Sequence, residues 1–262
     1  MGGVLKISPI PAFDDNYIWL LREPEGRLAA VVDPGDEEPV LAALEAAGLA
    51  LSAILITLHH YDHTGGVKEL LEAWPAALVL GPADSRIPAL TRTVGEGDRI
   101  ALPGLDATFQ VLAVPGHTSS HIAYLGGGAL FCGDTLFAAG CGRVFDGTFE
   151  QLAASLERIA GLPGDTLLYC AHEYTLANLG FAQWVEPESA SVAERTAQAR
   201  RLRGLGQPTV PSRLSEELAT NPFLRTGVPA VKTAAERFAG RLLETGGEVF
   251  TALRRWKDEK YD

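Results

Sequence analysis

Ile54-Leu55-Ile56-Thr57-Leu58-His59-His60-Tyr61-Asp62-His63-Thr64-Gly65-Gly66 is the stretch on which the reading of this chain turns. A short β-branched run leads into three imidazoles and a carboxylate within five residues, and then into turn chemistry. Imidazole and carboxylate donors packed so closely make a poor core and a good metal cradle. The stretch therefore points to metal-dependent hydrolysis. All six histidines (His59, His60, His63, His117, His121 and His172) lie within a few residues of the end of an apolar run.

Working outward, short β-like runs alternate with turns and helical patterns up to about residue 172, which suits a layered α/β arrangement. Ala29–Val32 stops at Asp33-Pro34-Gly35-Asp36, and a helical pattern through Val40, Leu41, Leu44 and Ala47 stops at Gly48. A helix from about Gly66 to Trp74 is stopped by Pro75. Later runs end at Gly81-Pro82, Pro115-Gly116-His117, Gly126-Gly127-Gly128, Gly133-Asp134 and Ala171-His172-Glu173. The candidate ligands thus stand at strand exits, where a rigid sheet can hold them on loops. After residue 173 the pattern turns helical (174–185, 189–203 and 247–260), with no further strand signal and a Pro-containing connection at 207–212. The expected division is a main domain over 1–172 and a small helical domain over 173–262.

A chain of 262 residues, 47% hydrophobic, can bury a sizeable core. The formal net charge of −11 argues against nucleic acid as a partner, because polyanions need a basic face. Neither a targeting h-region nor a run long enough to span a bilayer is seen, so a cytoplasmic protein with no membrane partner is expected. Cys132, Cys141 and Cys170 are odd in number and not spaced as a disulfide framework; reduced structural thiols are expected.

The collected donors are His60, Asp62 and His63 from the first loop, His117 from the second, Asp134 from the third and His172 from the fourth. Six mixed N/O ligands exceed one tetrahedral site, whereas two divalent ions sharing a carboxylate would use them all. Asp134 is the natural bridge, since one Asp can offer an oxygen to each ion. Such a pair would acidify a water between them toward neutrality.

The motifs Thr57–Gly66, Pro115-Gly116-His117-Thr118, Phe131-Cys132-Gly133-Asp134-Thr135-Leu136-Phe137 and His172-Glu173-Tyr174 resemble those of the metallo-β-lactamase superfamily. More narrowly, with Asn221-Pro222-Phe223-Leu224-Arg225 and Arg254-Arg255-Trp256-Lys257-Asp258, the chain resembles the glyoxalase II (hydroxyacylglutathione hydrolase) family. The resemblance implies an αββα sandwich with a helical C-terminal subdomain, and hydrolysis of S-D-lactoylglutathione to D-lactate and glutathione. It implies a first metal site with His117 and two histidines of the loop, a second with Asp62, His63 and His172, and Asp134 as the bridge. Zinc is the first expectation, and iron or manganese also occurs in such sites. Asp62 would orient the attacking hydroxide, and a monomer is the family default.

One ligand departs from that pattern. Aligning Asp62 and His63 with the end of the family's HxHxDH motif puts Leu58 where the first histidine belongs. Side chains alternate along extended backbone, so His59 should not fill the gap, and a weakened first site is expected. By resemblance, Arg143, Tyr174, Arg254 and Lys257 would meet the glutathione moiety, while Phe145 lacks the hydroxyl that the family often carries there. Taken singly, His121 and His59 read as supporting residues, Asp33 as a turn former, and Glu173 as a ligand orienter or a helix cap. Two other functions compete with the hydrolase. One is a mononuclear iron persulfide dioxygenase, whose ligand set includes the histidine missing at 58. The other is a metal-depleted binder of glutathione-like thiols.

Overall fold

The computed structural model describes residues 5–261; Met1–Val4, part of the N-terminal stretch read above for targeting, lie outside the described residues. The chain forms two compact units. One runs to Ala113 and includes Ser120–Gly133; the other comprises Val114–Ser119 and everything from Asp134 onward. The 172/173 boundary expected from the sequence falls inside the second unit.

The first unit is built on a six-stranded sheet in the order β1 (Lys6–Ala12), β2 (Asn16–Arg22), β3 (Leu28–Val32), β4 (Ala50–Leu55), β5 (Leu78–Gly81), β6 (Arg92–Thr93). β1 to β3 pair antiparallel, and β3 to β6 parallel. Pro9 and Pro11 mask β1 in the sequence. They are tolerated because β1 is an edge strand that, among the described residues, pairs with β2 alone, so their missing N–H groups can face outward. The helices α1 (Glu37–Ala47), α2 (Tyr61–Thr64) and α3 (Val67–Ala73) follow β3 and β4. Val40 and Leu44 of α1 and Val67 and Leu70 of α3 pack with Ile18, Leu20, Val31, Ile54 and Val79 in one apolar layer. The alternate strand residues Trp19, Leu21, Val32, Leu55 and Leu80 are buried too, so both sheet faces are covered and the strands read as continuous apolar runs. Asp36 caps α1 by accepting from Glu38 N, and Gly48 ends it at φ +63°.

The unit continues with the antiparallel strands β7 (Arg99–Ala101), β8 (Thr108–Ala113), β9 (Ile122–Gly126) and β10 (Ala129–Gly133). Tyr124 of β9 directs its hydroxyl to the carbonyls of Ile56 and Leu80 at 2.9 and 3.1 Å, tying these strands to the exits of β4 and β5.

The second unit holds a hairpin, β11 (Leu136–Phe137) with β12 (Gly140–Cys141), the helix α4 (Phe149–Ala160), and β13 (Leu167–Cys170) paired antiparallel to β14 (Ser212–Arg213). β14 corrects the expectation of no strand beyond residue 173: two residues carry no periodicity, and only pairing with Leu167 and Leu168 defines them. The remaining helices are α5 (Thr175–Val185), α6 (Ala190–Gly204), α7 (Leu214–Thr220), α8 (Pro229–Ala239) and α9 (Gly246–Lys260). α7 and α8 were not legible in the sequence. Among the described residues no helix is long and apolar enough to cross a membrane.

Candidate metal centre

Each unit carries half of the expected ligand set. In the first, the parallel pairing of β3 and β4 brings the two strand exits side by side, with Asp33 N donating to Leu55 O at 2.9 Å. Asp33 is buried and sits at φ +54°, uncommon for a residue with a side chain. Its carboxylate accepts from Thr57 N at 2.8 Å and from Thr57 Oγ1 at 2.6 Å, and Oδ2 lies 3.1 Å from His63 Nδ1. Asp33 therefore does more than form a turn. It pins the histidine loop to the neighbouring strand and sets the ring of the fully buried His63, whose Nε2 lies 3.5 Å from Asp62 Oδ2. A carboxylate behind one imidazole nitrogen fixes the tautomer and leaves the other nitrogen as donor to a metal.

Asp62 is held from β2. Asn16 Nδ2 donates to Asp62 Oδ2 at 3.1 Å and to Asp62 O at 3.3 Å. Gly35 is required here, because a Cβ would stand 2.0 Å from Asp62 O. Residues 33–36 and 60–66 thus lock together, with Gly66 N donating to Pro34 O at 3.0 Å. His60 occupies the N-cap position of α2.

His59 lies beside a different carboxylate, its Nδ1 being 3.4 Å from Asp84 Oδ2. Asp84 also accepts from Arg86 Nη2 at 2.6 Å and from Ser120 Oγ at 2.7 Å. The Arg86 hydrogen bonds hold its carboxyl well below the usual range, so it stays ionised. His121 is buried, with Nδ1 at 3.0 Å from Ile122 O. Leu58 is fully buried.

In the second unit Asp134 stands between two imidazoles. Its Oδ2 is 3.4 Å from His117 Nε2, and its Oδ1 is 3.4 Å from His172 Nε2. One carboxylate thus turns a different oxygen to each ring. His117 Nδ1 lies 2.7 Å from Arg143 O. A carbonyl can only accept, so Nδ1 donates and Nε2 is the nitrogen that faces Asp134. The contact depends on Gly142, where a Cβ would come within 2.0 Å of Asp134 O and 2.9 Å of His117 Nδ1. Aromatic rings set the imidazoles: Tyr174 stacks on His172 at 4.8 Å, Phe137 meets it edge-on at 5.7 Å, and Phe145 meets His117 edge-on at 5.1 Å. All three ligands are buried. Buried imidazoles and a carboxylate converging in this way form a donor set suited to a divalent ion.

The residues expected at the substrate behave differently from one another. The Arg143 side chain is 55% exposed and lies 3.6 Å from Asp258. Arg254 is buried. Its Nη1 donates to Cys141 O at 2.9 Å, its Nη2 to Asp258 Oδ1 at 2.9 Å, and its guanidinium lies 5.3 Å from the Phe223 ring centroid. Lys257 is also buried and donates to Asn178 Oδ1 at 3.0 Å. The plain surface charge that a terminal helix suggests is excluded for both. Glu173 does not cap α5, whose N-cap is Tyr174; it accepts from Thr209 N at 2.9 Å and from Thr209 Oγ1, fastening the 207–212 connection.

Asn16 and Asp84 were missed by the sequence reading. Both are single polar residues outside any motif, and the one available hint was that each stands beside a strand end.

Residues 12–172 match the family description "Metallo-beta-lactamase superfamily", and residues 173–260 match "Hydroxyacylglutathione hydrolase C-terminus". A hydroxyacylglutathione hydrolase of Alkalilimnicola ehrlichii is 59% identical over 97% of this chain and 99% of its own length. One of Pseudomonas fluorescens is 54% identical over 98% of this chain and all of its own length. Among solved structures, ETHE1 from Myxococcus xanthus superposes with a TM-score of 0.68 at 23% identity, covering 98% of this chain and 93% of that one, a likeness of fold. The di-iron-bound form of TTHA1623 gives a TM-score of 0.54 at 31% identity, covering 64% of this chain and 91% of that one. The α/β architecture of strands with helical cover, the helical C-terminal part and near full-length identity above half place this chain in the hydroxyacylglutathione hydrolase family of the metallo-β-lactamase superfamily.

Proposed function

We propose that the chain is a metal-dependent thioester hydrolase that converts S-D-lactoylglutathione, and other S-2-hydroxyacylglutathiones, into the hydroxy acid and glutathione. The observation that carries the chemistry is Asp134, with one oxygen facing His117 and the other facing His172. Relatives 50–59% identical over almost the whole chain bear the hydroxyacylglutathione hydrolase name, so the persulfide dioxygenase and the non-catalytic binder are not favoured.

In this reading the donors would hold two divalent ions, zinc first among candidates, with Asp134 available to both. By the family resemblance, His60 and His117 would serve the first, and Asp62, His63 and His172 the second. The two-iron form of a 31% identical protein supports a pair. When bound, the ions supply Lewis acidity and a water acidified toward neutrality. The chain's own residues do the rest. Asp62, fixed through Oδ2 by Asn16, orients the attacking water toward the thioester carbonyl. Asp33 and the Arg143 carbonyl keep the rings of His63 and His117 in the tautomer that presents Nε2. The thiolate of glutathione leaves without needing a strong acid, since a thiol ionises readily.

Leu58 leaves the first position with His60, His117 and Asp134, one ligand short of the family pattern. A buried aliphatic group can neither coordinate nor hold a replacement water, so we assign this position weaker occupancy. Residues 1–172 are assigned to the metal-binding domain and 173–262 to the glutathione-binding domain, a division supported by the two family matches meeting at 172/173. Arg143 and Tyr174, both exposed, are assigned to the tripeptide together with Arg254 and Lys257. A cytoplasmic location accords with three buried cysteines that form no disulfide, and a monomer rests on the family resemblance.

The test is loss of the thioester absorbance of S-D-lactoylglutathione with purified, metal-analysed protein. Turnover abolished by chelation and restored by zinc, iron or manganese supports the reading. A metal-loaded chain that leaves the thioester intact overturns it.

A further inference from the structure

Between Asp134 and Arg143 the chain makes the β11–β12 hairpin, which turns through Ala138 and Ala139. Ala139 has φ +57°, a left-handed conformation that favours glycine. An alanine is kept there by its surroundings. Four main-chain groups around the turn are taken by buried side chains of the helical region. Asn178 Nδ2 donates to Ala138 O at 3.0 Å, Ala139 N donates to Glu217 Oε2 at 2.8 Å, and Asn221 Nδ2 donates to Gly140 O at 3.0 Å and to Phe137 O at 3.3 Å. Ala139 itself packs with Leu179, Ala182, Val192 and Ala199.

Glu217 is fully buried, and its charge is met by Arg195, by Asn221 Nδ2 at 3.1 Å and by Ala139 N. Arg195 in turn donates to Thr220 Oγ1 at 2.6 Å. Burying such an ion pair costs desolvation that an apolar pair of the same volume would avoid, so general stability is a poor reason for it. Its polar atoms instead match the turn's main-chain groups one by one. What they hold is chemically consequential, because the hairpin's two flanks carry the Asp134 carboxylate and the Arg143 carbonyl that sets His117. Gly142 N donates to Thr135 O at 3.3 Å, and the absent Cβ at 142 shows how little slack the flanks have.

We propose that Glu217 and Asn221 are positioning residues of the metal site, acting through the hairpin to keep Asp134 and the Arg143 carbonyl in register with His117 and His172. The inference rests on the metal-centre reading above. Neither residue is among the six candidate donors or the four residues assigned to the tripeptide.

The test compares zinc affinity, measured by competition with a chromophoric chelator, and the kcat and KM for S-D-lactoylglutathione. The wild type is set beside Glu217→Gln and the double variant Arg195→Met/Glu217→Leu, which removes the charge pair without stranding either partner. Glu217→Gln keeps an acceptor for Ala139 N but turns its amide NH2 toward the buried Arg195, so it should lose thermal stability while zinc affinity and kcat stay closer to wild type than in the double variant. The double variant, which also leaves the buried Ala139 N–H without its acceptor, should lose some metal-free thermal stability, stay folded, and bind zinc about 10- to 100-fold more weakly, with kcat lowered and KM little changed. Asn221→Ala serves as the independent variant should the double one fail to fold, with the same loss expected. A folded variant with wild-type zinc affinity and kcat would reduce the network to fold support and overturn the inference. If the wild type binds no zinc, the metal-centre reading falls first and takes this inference with it.

Discussion

The carboxylate of Asp33 stands 3.1 Å from Nδ1 of His63, both side chains buried, although the two lie thirty positions apart in the sequence with a whole helix between them. The same carboxylate receives the amide and hydroxyl of Thr57, so one residue fixes both the root of the histidine loop and the ring at its end. Replacing it should therefore cost metal before it costs fold. Asp33→Ala is expected to weaken metal binding about 10- to 100-fold. It should also lower unfolding free energy by about 1–3 kcal/mol through the stranded Thr57 amide. Chelator competition and urea unfolding on one sample measure both, and unchanged affinity would remove Asp33 from the site.

Leu58 offers a gain-of-function experiment. Leu58→His puts an imidazole into a fully buried apolar position, so without metal the variant should be less stable by about 1–3 kcal/mol. With metal it should hold more ion per chain and turn over faster than the wild type. Two tightly held ions in the wild-type protein would show that the first position is not impaired.

Metal removal should register in stability as well as activity. His63 in the first unit, and His117, Asp134 and His172 in the second, are buried polar donors whose burial a bound ion would relieve. An ion at a hundredfold excess over its dissociation constant adds about 2.7 kcal/mol. The thermal midpoint should rise on adding zinc and fall with chelator; a midpoint indifferent to both contradicts a folded-state site.

The cysteines predict a pH dependence at the alkaline end. Burial pushes the Cys170 thiol up to about 12, and Cys141 is raised for the same reason. Above the ordinary thiol range the unfolded chain loses these protons while the native chain keeps them, so the native state binds more protons. Stability is full below that range and falls as pH climbs toward the native value. Each such thiol contributes a slope of at most about 1.4 kcal/mol per pH unit. Urea midpoints from neutral to alkaline pH should flatten in Cys170→Ala, and all three thiols should resist alkylation until the chain unfolds.

Much of this protein is written locally. The run from Ile54 to Gly66, the strand exits at His117, Asp134 and His172 and the long helices α5, α6 and α9 could be read from spacing and residue type, because each is a short-range pattern with its own chemistry. The two-residue strand β14 and the Pro-bearing β1 could not, since pairing alone defines them.

The supporting side chains were hidden for a related reason. Nothing about Asn16, Asp84 or Glu217 in sequence distinguishes them from ordinary polar residues, and the turn that holds Asp33 and the motif that holds Asn221 give no sign of the partners these two side chains take. Sequence by itself determined which donors the chain owns and which strands and loops carry them, since a ligand's chemistry resides in its own side chain. Only the tertiary structure decided which nitrogen each imidazole presents and which carboxylate stands behind it. Orientation depends on partners brought close by pairing between strands and helices distant in the chain.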